Sequence, residues 1–189
     1  MTKLELRNLY LQKRKSIPEK EKLIGEDLML LQLQQLNFNH IHYVLSYWPL
    51  ATTNEPNTHL FTGYLKHFYP NIRIAYPVTN TTNHTMQAIL TNEHTQFATN
   101  KWGIYEPTEG DLLVPERIDL VFVPLIICDR AGYRVGYGKG FYDRFLTDCR
   151  KNVVTIGFSY FDPITKISDT QSFDVPLNYC ITPQNRYEF

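Results

Sequence analysis

The chain has 189 residues in which 19 lysines and arginines balance 19 aspartates and glutamates, so no bulk field recruits nucleic acid or an anionic membrane. Hydrophobic residues make up 43% of it, enough to fill a core, which excludes a disordered chain and leads us to expect one domain over residues 1–189. No run of roughly 18 or more apolar residues marks a membrane span.

Met1–Arg7 carries charges through what would be a signal peptide's apolar region. The three cysteines, Cys128, Cys149 and Cys180, are odd in number and lack metal-ligand spacing. Both features lead to the expectation of a reduced, cytoplasmic protein. The six histidines show no ligand pattern either.

In chain order, Lys3 to Lys15 reads as a helix without proline or glycine. At 100° per residue Lys3, Arg7 and Arg14 fall within about 40° of one another, a cationic stripe. On a terminal helix such a stripe is ordinarily a solvated face. Ser16-Ile17-Pro18-Glu19 has the form of a capping box and predicts a second helix to about Leu36. Leu23, Ile24, Leu28, Leu31 and Gln35 are spaced along one face of it. A first strand follows over His40–Trp48, stopped by Pro49. In Leu50–Thr58, Pro56 suits the first helical position, which makes Asn54 or Glu55 its cap. Leu60, Phe61, Tyr64, Leu65 and Phe68 then recur at helical spacing. Arg73–Val78 and His84–Leu90 read as strands joined by the polar turn Thr79–Asn83.

Lys101–Pro107 brings Trp102 and Tyr105 beside a turn. Ile118–Ile127 is apolar and β-branched enough for a buried strand. Directly after it comes Asp129–Leu146, which holds four of the nine glycines between Gly132 and Gly140. Phe141–Cys149 reads as a short helix, Asn152–Phe158 as another buried strand, and Phe173–Thr182 as a loop with a final strand.

A glycine loop ahead of a helix lets several N–H groups point at one spot, where the helix N-terminus adds partial positive charge. Arg134 and Lys139 place two cations on that loop, and Asp143 follows in the first helical turn. Donors, cations and one carboxylate together suit a polyphosphate carrying a metal ion. The spacing Gly136-x-Gly138-x-Gly140 is wrong for the dinucleotide fingerprint. Lys139 is followed by Gly140 rather than by Ser or Thr, which excludes a Walker A loop.

Arg134-x-Gly136-Tyr137-Gly138-x-Gly140-Phe141-Tyr142-Asp143, preceded by Asp129-Arg130-x-Gly132, resembles the signature of the 5-formyltetrahydrofolate cyclo-ligase (methenyltetrahydrofolate synthetase) family. The segment around Gly103-Ile104-x-Glu106-Pro107 and the ending that includes Asp174 are similar to that family as well. Pro183 departs from it, standing where relatives often have glutamate. The resemblance implies an α/β fold of three layers, α/β/α, with a mainly parallel sheet, similar to phosphosugar isomerases and CoA transferases.

It further implies conversion of 5-formyltetrahydrofolate to 5,10-methenyltetrahydrofolate with ATP and Mg²⁺, by phosphorylation of the formyl oxygen and attack of N10. Residue by residue, it implies ATP contacts from Lys3, Arg7, Arg134, Val135, Gly136, Tyr137, Gly138, Lys139, Gly140, Phe141 and Tyr142, with Arg134 and Lys139 catalytic. Arg14 is a weaker candidate on the same stripe. Leu50, Glu55, Met86, Trp102 and Tyr142 are the expected folate contacts, and Asp143 and Asp174 the expected Mg²⁺ ligands. The expected partners are these small molecules alone, with no nucleic acid and no membrane, bound by a monomer. Two alternatives stay open: a module that binds nucleotide or folate without turnover, and a phosphosugar isomerase that needs no ATP.

Overall fold

The computed structural model describes residues 1–189. Two helices open the chain, α1 (Lys3–Lys15) and α2 (Glu19–Leu33). Next come β1 (Tyr43–Leu45), α3 (Thr58–Phe68), β2 (Arg73–Asn80) and β3 (Thr85–Leu90). A run of short strands follows: β4 (Phe97–Thr99), β5 (Tyr105–Pro107), β6 (Leu112–Leu113) and β7 (Leu120–Phe122). β8 (Ile127–Cys128) and β9 (Arg134–Val135) form a separate hairpin that leads through the glycine loop into α4 (Phe141–Asp148). The chain ends with β10 (Val154–Phe158), β11 (Tyr179–Ile181) and β12 (Arg186–Glu188).

The eight-stranded sheet has the order β12-β11-β10-β7-β1-β2-β3-β6. Its centre, from β11 to β2, is parallel throughout, and both margins are antiparallel. Alternate residues of the central strands enter different cores, as a strand's period of two requires. Val44, Ile74, Leu120, Phe122 and Ile181 join Met29, Leu33, Phe61 and Leu65 from α2 and α3. Leu45, Ala75, Val121, Val123 and Cys180 join Phe145 and Leu146 from α4. The result is the expected α/β/α arrangement with a mainly parallel sheet. A third, smaller core sets Leu6 of α1 against Ile127, Val135 and Ile167.

Several local expectations are overturned. Ser16 caps no helix start: its backbone is αR, its N–H bonds back to Gln12 and Lys13, and its hydroxyl donates to Lys13 O at 2.8 Å. An N-cap needs extended backbone, and Pro18 supplies that position without a side-chain cap. α2 also buries the stripe opposite to the expected one. Met29 and Leu33 are 0% exposed, whereas Leu23 and Leu31 are 56% and 55% exposed. The anchor is Glu26, whose carboxylate accepts from Asn57 N–H at 3.0 Å and Tyr160 O–H at 2.8 Å and so fixes the helix's rotation. α3 is capped by Asn57, which accepts from His59 N–H at 3.1 Å; Glu55 and Asn54 are engaged elsewhere. The apolar run Ile118–Ile127 is two strands in different sheets, interrupted around Pro124, which has no N–H for a ladder. Phe68 shares the helical spacing of Phe61 and Leu65, yet it is 63% exposed while they are fully buried.

Candidate active site

In the parallel part of the sheet the strand order reverses between β1 and β7, and ligands of open α/β sheets bind outside the carboxyl ends of strands at such a switch point. A cavity of about 690 Å³ opens there. Tyr47, Trp48 and Leu50 line it from beyond β1, Pro77 and Thr79 from the end of β2, and Pro124 from beyond β7. The glycine loop and the first turn of α4 form much of the remaining wall. Of the residues expected to bind ATP, folate or metal, all line this cavity except Val135, which is buried in the β8–β9 hairpin, and the weaker candidate Arg14.

The loop's shape depends on two left-handed glycines, Gly138 at φ 84° and Gly140 at φ 69°. Gly138 also permits a close approach, since a Cβ there would lie 3.2 Å from an Arg7 guanidinium nitrogen. Arg7 Nε donates to Gly136 O at 2.8 Å, so α1 is clipped directly onto the loop. Lys139 is exposed, lines the cavity and enters none of the chain's ion pairs. Arg134 differs: it is buried, donating to Val175 O and, at 2.8 Å, to Asp143 Oδ1. Burial lowers its affinity for a proton, and Asp143 opposes that shift.

Asp143 Oδ1 also accepts from Val175 N–H at 3.2 Å. Asp174 Oδ2 holds Lys3 Nζ at 2.5 Å and Gln171 N–H at 2.6 Å. Each carboxylate therefore commits one oxygen to the protein, and its second oxygen has no hydrogen-bond partner within the chain. Nowhere do three or more His, Cys, Asp or Glu side chains converge on a metal position. That donor set fits Mg²⁺, which keeps waters and phosphate oxygens and takes only one or two carboxylates from the protein.

Glu55 is buried, and burial pushes its carboxyl up. The Tyr137 hydroxyl, the Leu50 N–H at 2.7 Å and the Arg14 charge pull it back. Tyr47, Tyr137 and Tyr142 all have phenols pushed up, chiefly by burial and then by the Glu55 charge. The Tyr142 hydroxyl is buried with no hydrogen-bond partner, on a side chain that lines the cavity. Arg14, expected on the solvated stripe or at the edge of the ATP site, is only 2% exposed. Its three guanidinium nitrogens donate to Thr53 O at 2.7 Å, Leu125 O at 2.9 Å and Tyr137 Oη at 2.6 Å.

Aromatic and apolar groups complete the lining. Trp48 lies against His59, Phe97 and Tyr105 with ring centroids 4.5, 4.9 and 4.9 Å away. Trp102, 39% exposed, meets Phe141 edge-on at 5.9 Å. Its turn is held by Asn100 Oδ1, which accepts from Trp102 and Ile104 N–H groups at 2.9 and 3.1 Å. Met86 on β3 is 7% exposed and also reaches the cavity.

Residues 1–183 match the family described as 5-formyltetrahydrofolate cyclo-ligase. The chain belongs to that family. It is 35% identical over 86 residues to the 5-formyltetrahydrofolate cyclo-ligase of Haemophilus influenzae, covering 44% of this chain and 46% of the relative. With the Escherichia coli cyclo-ligase it shares 29% over 106 residues, 53% of this chain and 58% of the relative. The matched stretches thus span about half the length of these curated relatives. The structure of Aquifex aeolicus 5,10-methenyltetrahydrofolate synthetase superposes with a TM-score of 0.80 at 27% identity, covering 100% of this chain and 93% of that one. The corresponding Mycoplasma pneumoniae synthetase gives 0.77 at 26% identity, covering 97% and 99%.

Beyond the signature, this cyclo-ligase family member lines its cavity with residues that sequence reasoning passed over. Trp48 and Tyr47 read only as the end of a strand, although aromatics just past a parallel strand's carboxyl end were a usable signal. Glu106 lies in the Gly103-Ile104-x-Glu106-Pro107 segment, for which the resemblance implies no role. It accepts from Thr79 N–H at 3.0 Å, Thr79 O–H at 2.6 Å and Asn100 Nδ2 at 2.9 Å. Arg144 donates to His84 O at 2.9 Å and to Lys139 O at 2.5 Å, holding the loop's outer edge. No spacing rule marks it.

Proposed function

We propose that this chain is a 5-formyltetrahydrofolate cyclo-ligase, consuming ATP to close 5-formyltetrahydrofolate to 5,10-methenyltetrahydrofolate with release of ADP and phosphate. One observation carries the reading: a single cavity is lined by a cation-bearing glycine loop and by the aromatic and carboxylate groups that a flat folate ring needs. Family membership supports it.

A formamide oxygen leaves poorly, because it would depart as hydroxide. In the proposed sequence it attacks the γ-phosphorus of ATP, ADP departs, and the oxygen becomes part of a phosphate leaving group. N10 then bonds to the activated carbon. The C–O bond breaks, phosphate carries its electrons away, and N10 loses its proton. The protein's part is positioning and charge neutralisation.

The amides from Gly136 to Phe141, with Lys139, Arg7 and Lys3, are assigned to the phosphates. Arg134 neutralises charge from behind Asp143. Asp143 and Asp174 are assigned to Mg²⁺, which when bound would offset charge on the transferring phosphoryl group. Glu55, Leu50, Met86, Trp102 and Tyr142 are assigned to the folate, and the unpartnered Tyr142 hydroxyl supports a polar substrate atom nearby.

The test is direct. Protein mixed with 5-formyltetrahydrofolate and Mg-ATP is expected to give methenyl product by absorbance, with one phosphate per turnover. Folded protein that forms no product removes the reading. Tight binding of both ligands without product would identify a non-catalytic module.

A further inference from the structure

Tyr137 belongs to two parts of the cavity at once. Its backbone lies in the glycine loop, between Gly136 and Gly138, while its side chain reaches the turn that follows β1. There its hydroxyl accepts from Arg14 Nη2 at 2.6 Å, donates to Glu55 Oε1 and lies 3.2 Å from Thr53 Oγ1. Arg14 is fixed independently of the loop, through Thr53 O and Leu125 O, and its own carbonyl accepts from Asn54 Nδ2 at 3.2 Å. The other Glu55 oxygen is held by Leu50 N–H. Arg14, Tyr137 and Glu55 thus form a chain of donor, relay and acceptor within a buried region.

The loop amides are the groups assigned to the phosphates and Glu55 is assigned to the folate, so Tyr137 joins the two assignments through one residue. When the backbone at residue 137 is fixed, a phenol with two rotatable bonds is fixed with it, and so is the donor on Glu55. A ligand that repositions one end of this connection therefore biases the other end toward its bound arrangement.

We propose that Tyr137 is a positioning residue that couples the nucleotide site to the folate site, so that each substrate raises the affinity for the other. The inference rests on the cyclo-ligase reading. By linkage the two enhancement factors must be equal.

Calorimetry on the whole chain with Mg²⁺ tests it, using a non-hydrolysable β,γ-imido ATP analogue and 5-formyltetrahydrofolate. Each is titrated with and without saturating amounts of the other. Wild-type protein is expected to show each ligand about 5- to 50-fold tighter in the presence of its partner. Tyr137→Phe is expected to bring the enhancement below about 2-fold, whatever its effect on the two separate affinities. In steady state its KM for one substrate then ceases to depend on the concentration of the other.

A Tyr137→Phe protein that keeps the full enhancement overturns the proposal. So does one that weakens both separate affinities alike with the enhancement intact, since that is a purely structural role. Should Tyr137→Phe not fold by circular dichroism, Arg14→Lys carries the same test, because it keeps the charge and loses the fork that meets the Tyr137 oxygen. Wild-type protein that binds both ligands without enhancement overturns the coupling and leaves the cyclo-ligase reading standing. Wild-type protein that binds neither overturns both.

Discussion

The first two helices invert one another's apparent roles. α1 carries a charged stripe of the kind that normally faces water, yet Lys3 and Arg7 line the cavity and Arg14 is buried behind it. α2 carries a stripe of leucine and isoleucine of the kind that normally faces a core, yet those side chains are exposed. Periodicity names the faces of a helix, and partners decide which one turns inward. For α1 the partners are carbonyls and carboxylates: Gly136 O, Thr53 O, Leu125 O and Asp174. For α2 the decisive partner set is Asn57 and Tyr160 on Glu26.

The largest effect expected on the α1 side falls where its partners meet the loop. Asp143→Asn keeps the size of the side chain but loses the negative charge opposite Arg134; its kcat should fall by about 10²-fold or more, read in the absorbance assay at a temperature where circular dichroism shows the variant folded. Wild-type rates would break the assignment of Asp143 to the metal.

Next in size, Arg14→Leu leaves the buried Leu125 carbonyl and the half-buried Thr53 carbonyl without a donor and takes one from the Tyr137 hydroxyl. It should cost about 2–4 kcal/mol in urea unfolding, whereas an exposed arginine would cost about 0.5 kcal/mol or less. A small value would return α1 to the class of solvated helices.

The folate side sharpens the comparison through pH. Burial raises the Glu55 carboxyl, so a proton is retained to higher pH than an ordinary glutamate would allow. If ionised Glu55 holds the folate, kcat/KM should fall on the acid side above the usual carboxylate range, and Glu55→Gln should flatten that limb while lowering the plateau. A limb that survives in the amide variant would belong to another group.

The smallest effect belongs to α2. Leu28→Gln alters an exposed side chain and should shift stability within about 0.5 kcal/mol with activity unchanged. Met29→Ala, one residue away but buried, should cost about 2–4 kcal/mol. Equal effects at the two positions would mean that the leucine stripe is covered in solution.

Much of this chain was legible before folding was considered, because some signals are local. The span of α1 follows from a stretch without glycine or proline. The strands β2, β3 and β10 follow from short apolar runs, and the glycine loop from its own spacing and interleaved cations. The family was readable from the same ten residues, since their chemistry requires fixed types at fixed separations. Ser16 and Pro56 misled because one local pattern serves two structures: a Ser-x-x-Glu can close a helix as readily as it opens the next.

What tertiary structure alone decided are the relations between distant segments. Arg14 meets Leu125 and Tyr137, Glu55 meets Tyr137, and Lys3 meets Asp174, across separations of 111, 123, 82 and 171 residues. No periodicity encodes such pairs. They arise because the parallel sheet brings the carboxyl ends of β1, β2 and β7 to one edge, and because a buried charge must find its partner there or go unpaired. Sequence by itself determined which groups the chain owns; the sheet's order determined which of them could act together.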